Sequence, residues 1–175
     1  MNQVILVNES DEELGYIDKM TAHQRGLMHR AYSVFILNEK GDMLLQQRAV
    51  EKYHSGGLWT NACCSHPAPG ENTQTSAQNR LLAEMGFTSF IHQAFSFSYK
   101  AAFENGLTEN EFDHVYIGFY EGKVVPDKNE VADFAWMPLS KVRKWIAEEP
   151  DVFTEWFKIA FPKVEEYLTL KGYKE

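Results

Sequence analysis

The stretch Asn61-Ala62-Cys63-Cys64-Ser65-His66-Pro67 gathers two thiols and an imidazole into one proline-ended turn, just ahead of Gly70-Glu71. A second cluster, Glu109-Asn110-Glu111, offers paired carboxylates that could complete a metal or acid/base site. Thiol, imidazole and carboxylates together allow proton transfer, metal binding or nucleophilic attack. Cys63 and Cys64 are the only cysteines. A bridge between neighbouring residues is strained, so both are expected as reduced thiols.

The elements that position these groups are read from periodicity and turn residues. Strands are expected over 4–7, 94–101, 112–120 and 132–137, the last closed by Pro138. Residues 31–37 and 43–47, joined by Asn38-Glu39-Lys40-Gly41-Asp42, read as a β-hairpin. Asn72 or Thr73 caps a helix in which Ala77, Leu81 and Met85 recur at near-helical spacing, ending at Gly86, with Arg80 and Glu84 one turn apart on its other face. Ser140 caps a helix to about residue 149, and Asp151 caps a final helix interrupted at Pro162. This order predicts an α/β or α+β layered sandwich, a mixed sheet flanked by helices.

With 175 residues, 44% hydrophobic and 14% aromatic, the chain can bury one substantial core, so residues 1–175 are expected to form a single domain. A net charge of -8 repels nucleic acid and anionic membranes, so an anionic substrate must be captured by a local basic pocket. No basic leader or membrane-length apolar run is visible. The expectation is a cytoplasmic protein acting on a small molecule, with no nucleic-acid, membrane or obligate protein partner.

Residues 65–87 resemble a Nudix box, the strand-loop-helix motif whose glutamates hold a metal against a diphosphate. Glu71, Glu84, Gly86 and Phe87 match that pattern, while Ser65, Asn79, Arg80 and Ala83 replace its glycine, arginine and two glutamates. One helix glutamate leaves Mg²⁺ bridging possible and removes carboxylates with which a hydrolase of the family activates water. Over most of its length the chain resembles type I isopentenyl diphosphate isomerase. Lys19, His23 and His29-Arg30-Ala31-Tyr32-Ser33 match its N-terminal part, and Arg48 and Lys52 its diphosphate-binding segment. Trp59-Thr60-Asn61 leads into the cysteine turn; Tyr99, Glu109-Asn110-Glu111 and Trp156 match further on.

The resemblance implies a Nudix-like sandwich and the isomerisation of isopentenyl diphosphate to dimethylallyl diphosphate in isoprenoid biosynthesis. Moving that double bond requires protonation of an alkene, carbocation character, and removal of a proton from the neighbouring carbon, hence two proton-transfer groups on opposite faces. The resemblance assigns these to Cys64 and Glu111, assisted by Tyr99, with the order open. Trp156 is implied as the aromatic face that attracts the cation. Its bland alternative is core packing with Val152, Phe153, Phe157 and Ala160.

The resemblance further implies metal ligation by His23, His29, His66, Glu109 and Glu111, a set that suits Zn²⁺, Mn²⁺ or Mg²⁺. A loop followed by a strand must bring His23 and His29 together. Glu84 is implied as the ligand of a substrate-associated Mg²⁺, its alternative being a surface pair with Arg80. Lys19, Arg48, Lys52 and Arg80 are implied diphosphate contacts, Arg48 foremost because it ends a strand. Cys63 occupies a position the family motif leaves open and is read as packing. His54, His92 and His114 match no motif position and are read as non-functional. A diphosphate hydrolase and a structural zinc module built on Cys63, Cys64 and His66 are the competing readings; adjacent cysteines do not give the usual zinc spacing.

Overall fold

The computed structural model describes residues 2–52, 54–103 and 105–173. Nine strands form one mixed sheet: β1 Gln3–Val7, β2 Glu13–Asp18, β3 His29–Leu37, β4 Asp42–Arg48, β5 Trp59–Thr60, β6 Cys63–Ser65, β7 Ile91–Ala102, β8 Thr108–Phe119 and β9 Val131–Pro138. The helices are α1 Lys19–Arg25, α2 Thr73–Met85, α3 Leu139–Glu148 and α4 Glu155–Leu170.

The strand β3 organises the sheet. One edge runs parallel to β8 over nine positions, from His29 opposite Glu111 to Leu37 opposite Phe119. The other edge is shared in turn by β1 at His29, β6 at Tyr32 to Val34, and β4 at Leu37. Both faces of β3 are covered, as its unbroken apolar run requires. Tyr32, Val34 and Ile36 pack with Ala77, Leu81 and Met85 of α2, while Phe35 and Leu37 pack with Val142 of α3 and Phe157 and Phe161 of α4. The layered sandwich with a mixed sheet is therefore the fold.

The expected hairpin forms only at its turn. β3 and β4 share a single bridge, Leu37 to Met43, and then part, β4 pairing with β9 along its length. The short strands β5 and β6 fill the gap, and the opening admits side chains from both layers to one cavity. Four of these elements escaped sequence reasoning: β2, whose alternation is broken by Gly15, α1, only seven residues long, and β5 and β6, of two and three residues.

Helix ends follow local chemistry. Asn72 caps α2, its side chain accepting from Thr75 N, as expected. The cap of α3 is Pro138, not Ser140, and α4 is capped at Thr154, Asp151 lying in the preceding 3-10 turn. Pro162 does not interrupt α4, which runs through it from Glu155 to Leu170. Buried contacts of Phe157, Ala160, Phe161, Val164 and Leu168 outweigh the lost backbone bond.

Gly86 ends α2 at φ 76°, and a Cβ there would lie 2.1 Å from Val125 O. The loop that approaches so closely donates Val125 N to Met85 O and Asp127 N to Glu84 O, satisfying carbonyls the helix end leaves open. Gly86→Ala should therefore lower stability by about 1–3 kcal/mol. The check is a lower denaturant midpoint at unchanged slope; an unchanged midpoint contradicts the constraint.

Candidate active site

The alternation of β8 turns Glu109, Glu111 and Asp113 inward on one face, a costly row of buried acids that only specific partners can stabilise. Those partners come from the neighbouring strands. Tyr99 stands opposite Glu111 on β7, and its hydroxyl lies 2.7 Å from Glu111 Oε2 and 3.0 Å from Glu109 Oε2. Ser33 of β3 donates to Asp113 Oδ2 at 2.7 Å. His29, opposite Glu111 on the other side, has its Nε2 3.5 Å from Glu111 Oε1, and His66 Nε2 lies 2.9 Å from the same oxygen.

Four ligand atoms converge here. One atom each of His23, His29, His66 and Glu111 lie within 4.8 Å of one another. The last turn of α1 supplies His23, and Gly26, at φ 60°, turns the chain back so that His29 can open β3. Leu27 O accepts from His29 Nδ1 at 2.8 Å, which fixes the tautomer and leaves Nε2 facing His66 Nε2 at 3.2 Å. Burial pushes the His23 imidazole down to about 4 and that of His66 to about 3. Imidazoles held neutral by burial beside an ionised carboxylate are metal-ready donors. Glu109, expected with this set, faces Tyr99 and His54 instead, with Oε1 3.4 Å from His54 Nε2.

The two glutamates are driven apart. Burial and the charge of Glu111 raise the Glu109 carboxyl well above the carboxylate range. Burial would raise Glu111 too, but its interactions with His66 and His29 outweigh it and hold that group well below the range. Burial and both glutamates push the Tyr99 phenol up. Burial, then Glu111, takes Asp113 up to about 8.

The cysteines divide as an extended pair must. Cys63 sits in the apolar core with Val34, Ala77 and Leu81, while Cys64, opposite Ser33, lines the cavity. Burial pushes the Cys64 thiol up to about 12, so it keeps its proton at neutral pH. A zinc set of Cys63, Cys64 and His66 does not converge. Because β6 and β8 flank β3, Cys64 and Glu111 come from strands about 10 Å apart across the sheet.

The same cavity is also lined by Lys19, Arg48, Lys52, Arg80 and Glu84. Glu84 is buried and accepts from Arg80 Nε at 2.6 Å and from Gln46 Nε2 at 2.7 Å, so its pair with Arg80 is no surface contact. Glu130 was not foreseen. Its Oε2 accepts from Arg80 Nη2 at 2.8 Å and also holds Lys52 Nζ, joining two of the four cations. No motif marked it, since it is delivered by the loop docked on Gly86. Burial lowers both Lys19 and Lys52.

Trp156 is 3% exposed and belongs both to the core of α4 and to the cavity wall, with Arg48 Cζ 5.1 Å from its ring centroid. His54, read from the sequence as non-functional, lies in the cavity wall. It is buried at the cavity, its ring edge-on to Trp156 at 5.9 Å. His92 and His114 lie elsewhere, on Tyr167 and Asp11.

Residues 27–157 match the NUDIX domain family. The chain is 46% identical to an isopentenyl-diphosphate Delta-isomerase of Burkholderia multivorans over 155 residues, 89% of this chain and 88% of that protein. It is 42% identical to isopentenyl-diphosphate Delta-isomerase 2 of Aromatoleum aromaticum over 171 residues, 98% of this chain and 90% of the other. The crystal structure of a MutT protein from Methanosarcina mazei superposes with a TM-score of 0.67 at 18% identity, covering 83% of this chain and 96% of that one. Another, from Deinococcus radiodurans, gives 0.69 at 16% identity over 84% and 90%, and both likenesses concern the fold alone. The chain belongs to the NUDIX domain family and, within it, to the isopentenyl-diphosphate Delta-isomerases.

Proposed function

We propose that the chain, acting as one domain in the cytoplasm, converts isopentenyl diphosphate to dimethylallyl diphosphate for isoprenoid biosynthesis, with Cys64 and Glu111 as its proton-transfer groups. The observation that carries this reading is the placement of Cys64 and the Glu111–Tyr99 pair on strands either side of β3, facing one cavity that Lys19, Arg48, Lys52 and Arg80 also line. Each flank holds a proton at neutral pH: the thiol on one, the neutral Glu109 carboxyl and Tyr99 phenol on the other. Glu109, Tyr99 and Glu111 form a chain along which a proton can pass to the ionised Glu111. One flank gives a proton to the alkene and the other takes one from the neighbouring carbon, so the site returns to its starting charge.

Lys19, Arg48, Lys52 and Arg80 bind the diphosphate, with Glu84 as ligand of the Mg²⁺ that accompanies it. Trp156 already accepts the Arg48 guanidinium and offers the same kind of attraction, roughly 1–2 kcal/mol when desolvated, to cationic character on the substrate. Around Glu111 the four converging donors fit a divalent cation. His23, His29, His66 and Glu111 would hold it, with Glu109 as a further carboxylate on the same strand face. Three imidazoles favour Zn²⁺ or Mn²⁺ over Mg²⁺. When bound, such an ion supplies positive charge that fixes and acidifies the carboxyl site.

No helix of the described residues is long and apolar enough to cross a membrane. The deciding experiment is incubation with isopentenyl diphosphate in D₂O. Dimethylallyl diphosphate carrying deuterium, with both phosphates attached, is expected. Release of phosphate or diphosphate without deuterated allylic product would overturn the isomerase in favour of a diphosphate hydrolase.

A further inference from the structure

His54 separates two spaces. On its inner side is the catalytic cavity of about 60 Å³, and on its outer side an open pocket of about 430 Å³, which it lines together with Leu58, Phe103 and Phe153. The imidazole is held from several directions. Its face stacks on Phe103 at 5.3 Å and 13°, its edge meets Trp156 at 5.9 Å, and its Nε2 lies 3.4 Å from Glu109 Oε1. Arg48 Nη2 donates to the His54 carbonyl at 3.2 Å, anchoring the backbone beneath the ring. The loop that carries it is fixed at Gly56, where a Cβ would come 2.3 Å from Val50 O.

Lys52 and Arg80 are drawn together with Glu84 and Glu130 in one charged cluster, whereas Trp156 and Glu109 both meet His54. Arg48 stands between the two groups, on the Trp156 ring and the His54 carbonyl. The hydrocarbon of a substrate held by the charged cluster would reach toward His54. We propose that His54, braced by Phe103, is the specificity-determining wall that admits a methyl-branched five-carbon alkenyl group and turns away larger ones. This deepens the isomerase reading and rests on it. The inner space is small, about 60 Å³, and His54 stands between it and the apolar floor that Leu58, Phe103 and Phe153 give the outer pocket, which could accept a longer chain were the ring absent. The role is one of shape: the imidazole is outside the converging metal donors, and nothing in the inference needs it to change protonation.

The test compares isopentenyl diphosphate with a homologue in which butyl replaces the methyl branch, both followed by deuterium incorporation in D₂O. Wild type should convert the first and discriminate against the second. In His54→Ala the ratio of kcat/KM for the butyl homologue to that for isopentenyl diphosphate should rise by about 10–200-fold. His54→Phe restores the bulk without the contact to Glu109, and its ratio should stay with wild type. Should His54→Ala fail to fold, Phe103→Ala opens the same wall from outside and must raise the ratio likewise. An unchanged ratio in folded His54→Ala or in Phe103→Ala overturns the wall, as does a His54→Phe ratio matching that of His54→Ala. Failure of wild type to convert isopentenyl diphosphate would instead overturn the isomerase reading itself.

Discussion

Replacing Cys64 by alanine will lower turnover of isopentenyl diphosphate by at least about 10²–10⁴-fold, the loss typical when a positioned proton-transfer group is removed. The fold should survive, because the side chain is partly exposed at the cavity and fills little of the core. Cys63→Ala reverses the pattern. That thiol is fully buried among apolar side chains, so its loss should cost about 1 kcal/mol of stability and leave turnover nearly intact. Steady-state rates and thermal melts of the two variants check the contrast. Wild-type rates in Cys64→Ala would remove the thiol from the mechanism, and equal damage by both would mark a structural thiol pair.

Glu111→Gln is expected to fail twice. The carboxylate meets His66 at 2.9 Å, Tyr99 at 2.7 Å and His29 at 3.5 Å, so it is both the anionic member of the metal set and the end of the proton chain. The amide keeps the shape and loses the charge. Metal affinity should fall at least 10–100-fold and turnover by at least about 10²–10⁴-fold. His29→Ala combined with His66→Ala removes two imidazoles from the four converging donors and should leave the purified protein without tightly held metal. Elemental analysis alongside activity decides this. Undiminished metal in the double variant would reject the ligand set, and turnover insensitive to chelator would reject the need for metal.

The parts of this molecule legible in its sequence are those governed by local chemistry. Asn72 and Gly86 bound their helix, and Cys63 and Cys64 part to opposite sides, because caps, left-handed turns and strand alternation are written within a few residues. The hairpin was misread because turn signals at Asn38–Asp42 specify the turn and say nothing of how far the strands stay paired. Pro162 was misjudged because tertiary burial along α4 overrode a local penalty. His54 and Glu130 could not be found by motif. Each owes its place to a distant segment: His54 to Phe103 and Trp156, and Glu130 to the loop docked on Gly86.

The parallel zipper of β3 and β8 also governs when this protein can become active. Ser33 and Asp113 are 80 residues apart, and His29 meets Glu111 only when that same ladder has closed in register. Parallel pairing across so long a loop is entropically slow. A slip of one position would carry every inward acid of β8 to the other layer. The proposed metal donors therefore converge only after this long-range pairing, and uptake of metal would report its completion. The same logic sets the tolerance of the chain to length change: residues can be gained or lost in the loops between these strands, whereas a single deletion inside either strand breaks the alignment of His29 with Glu111.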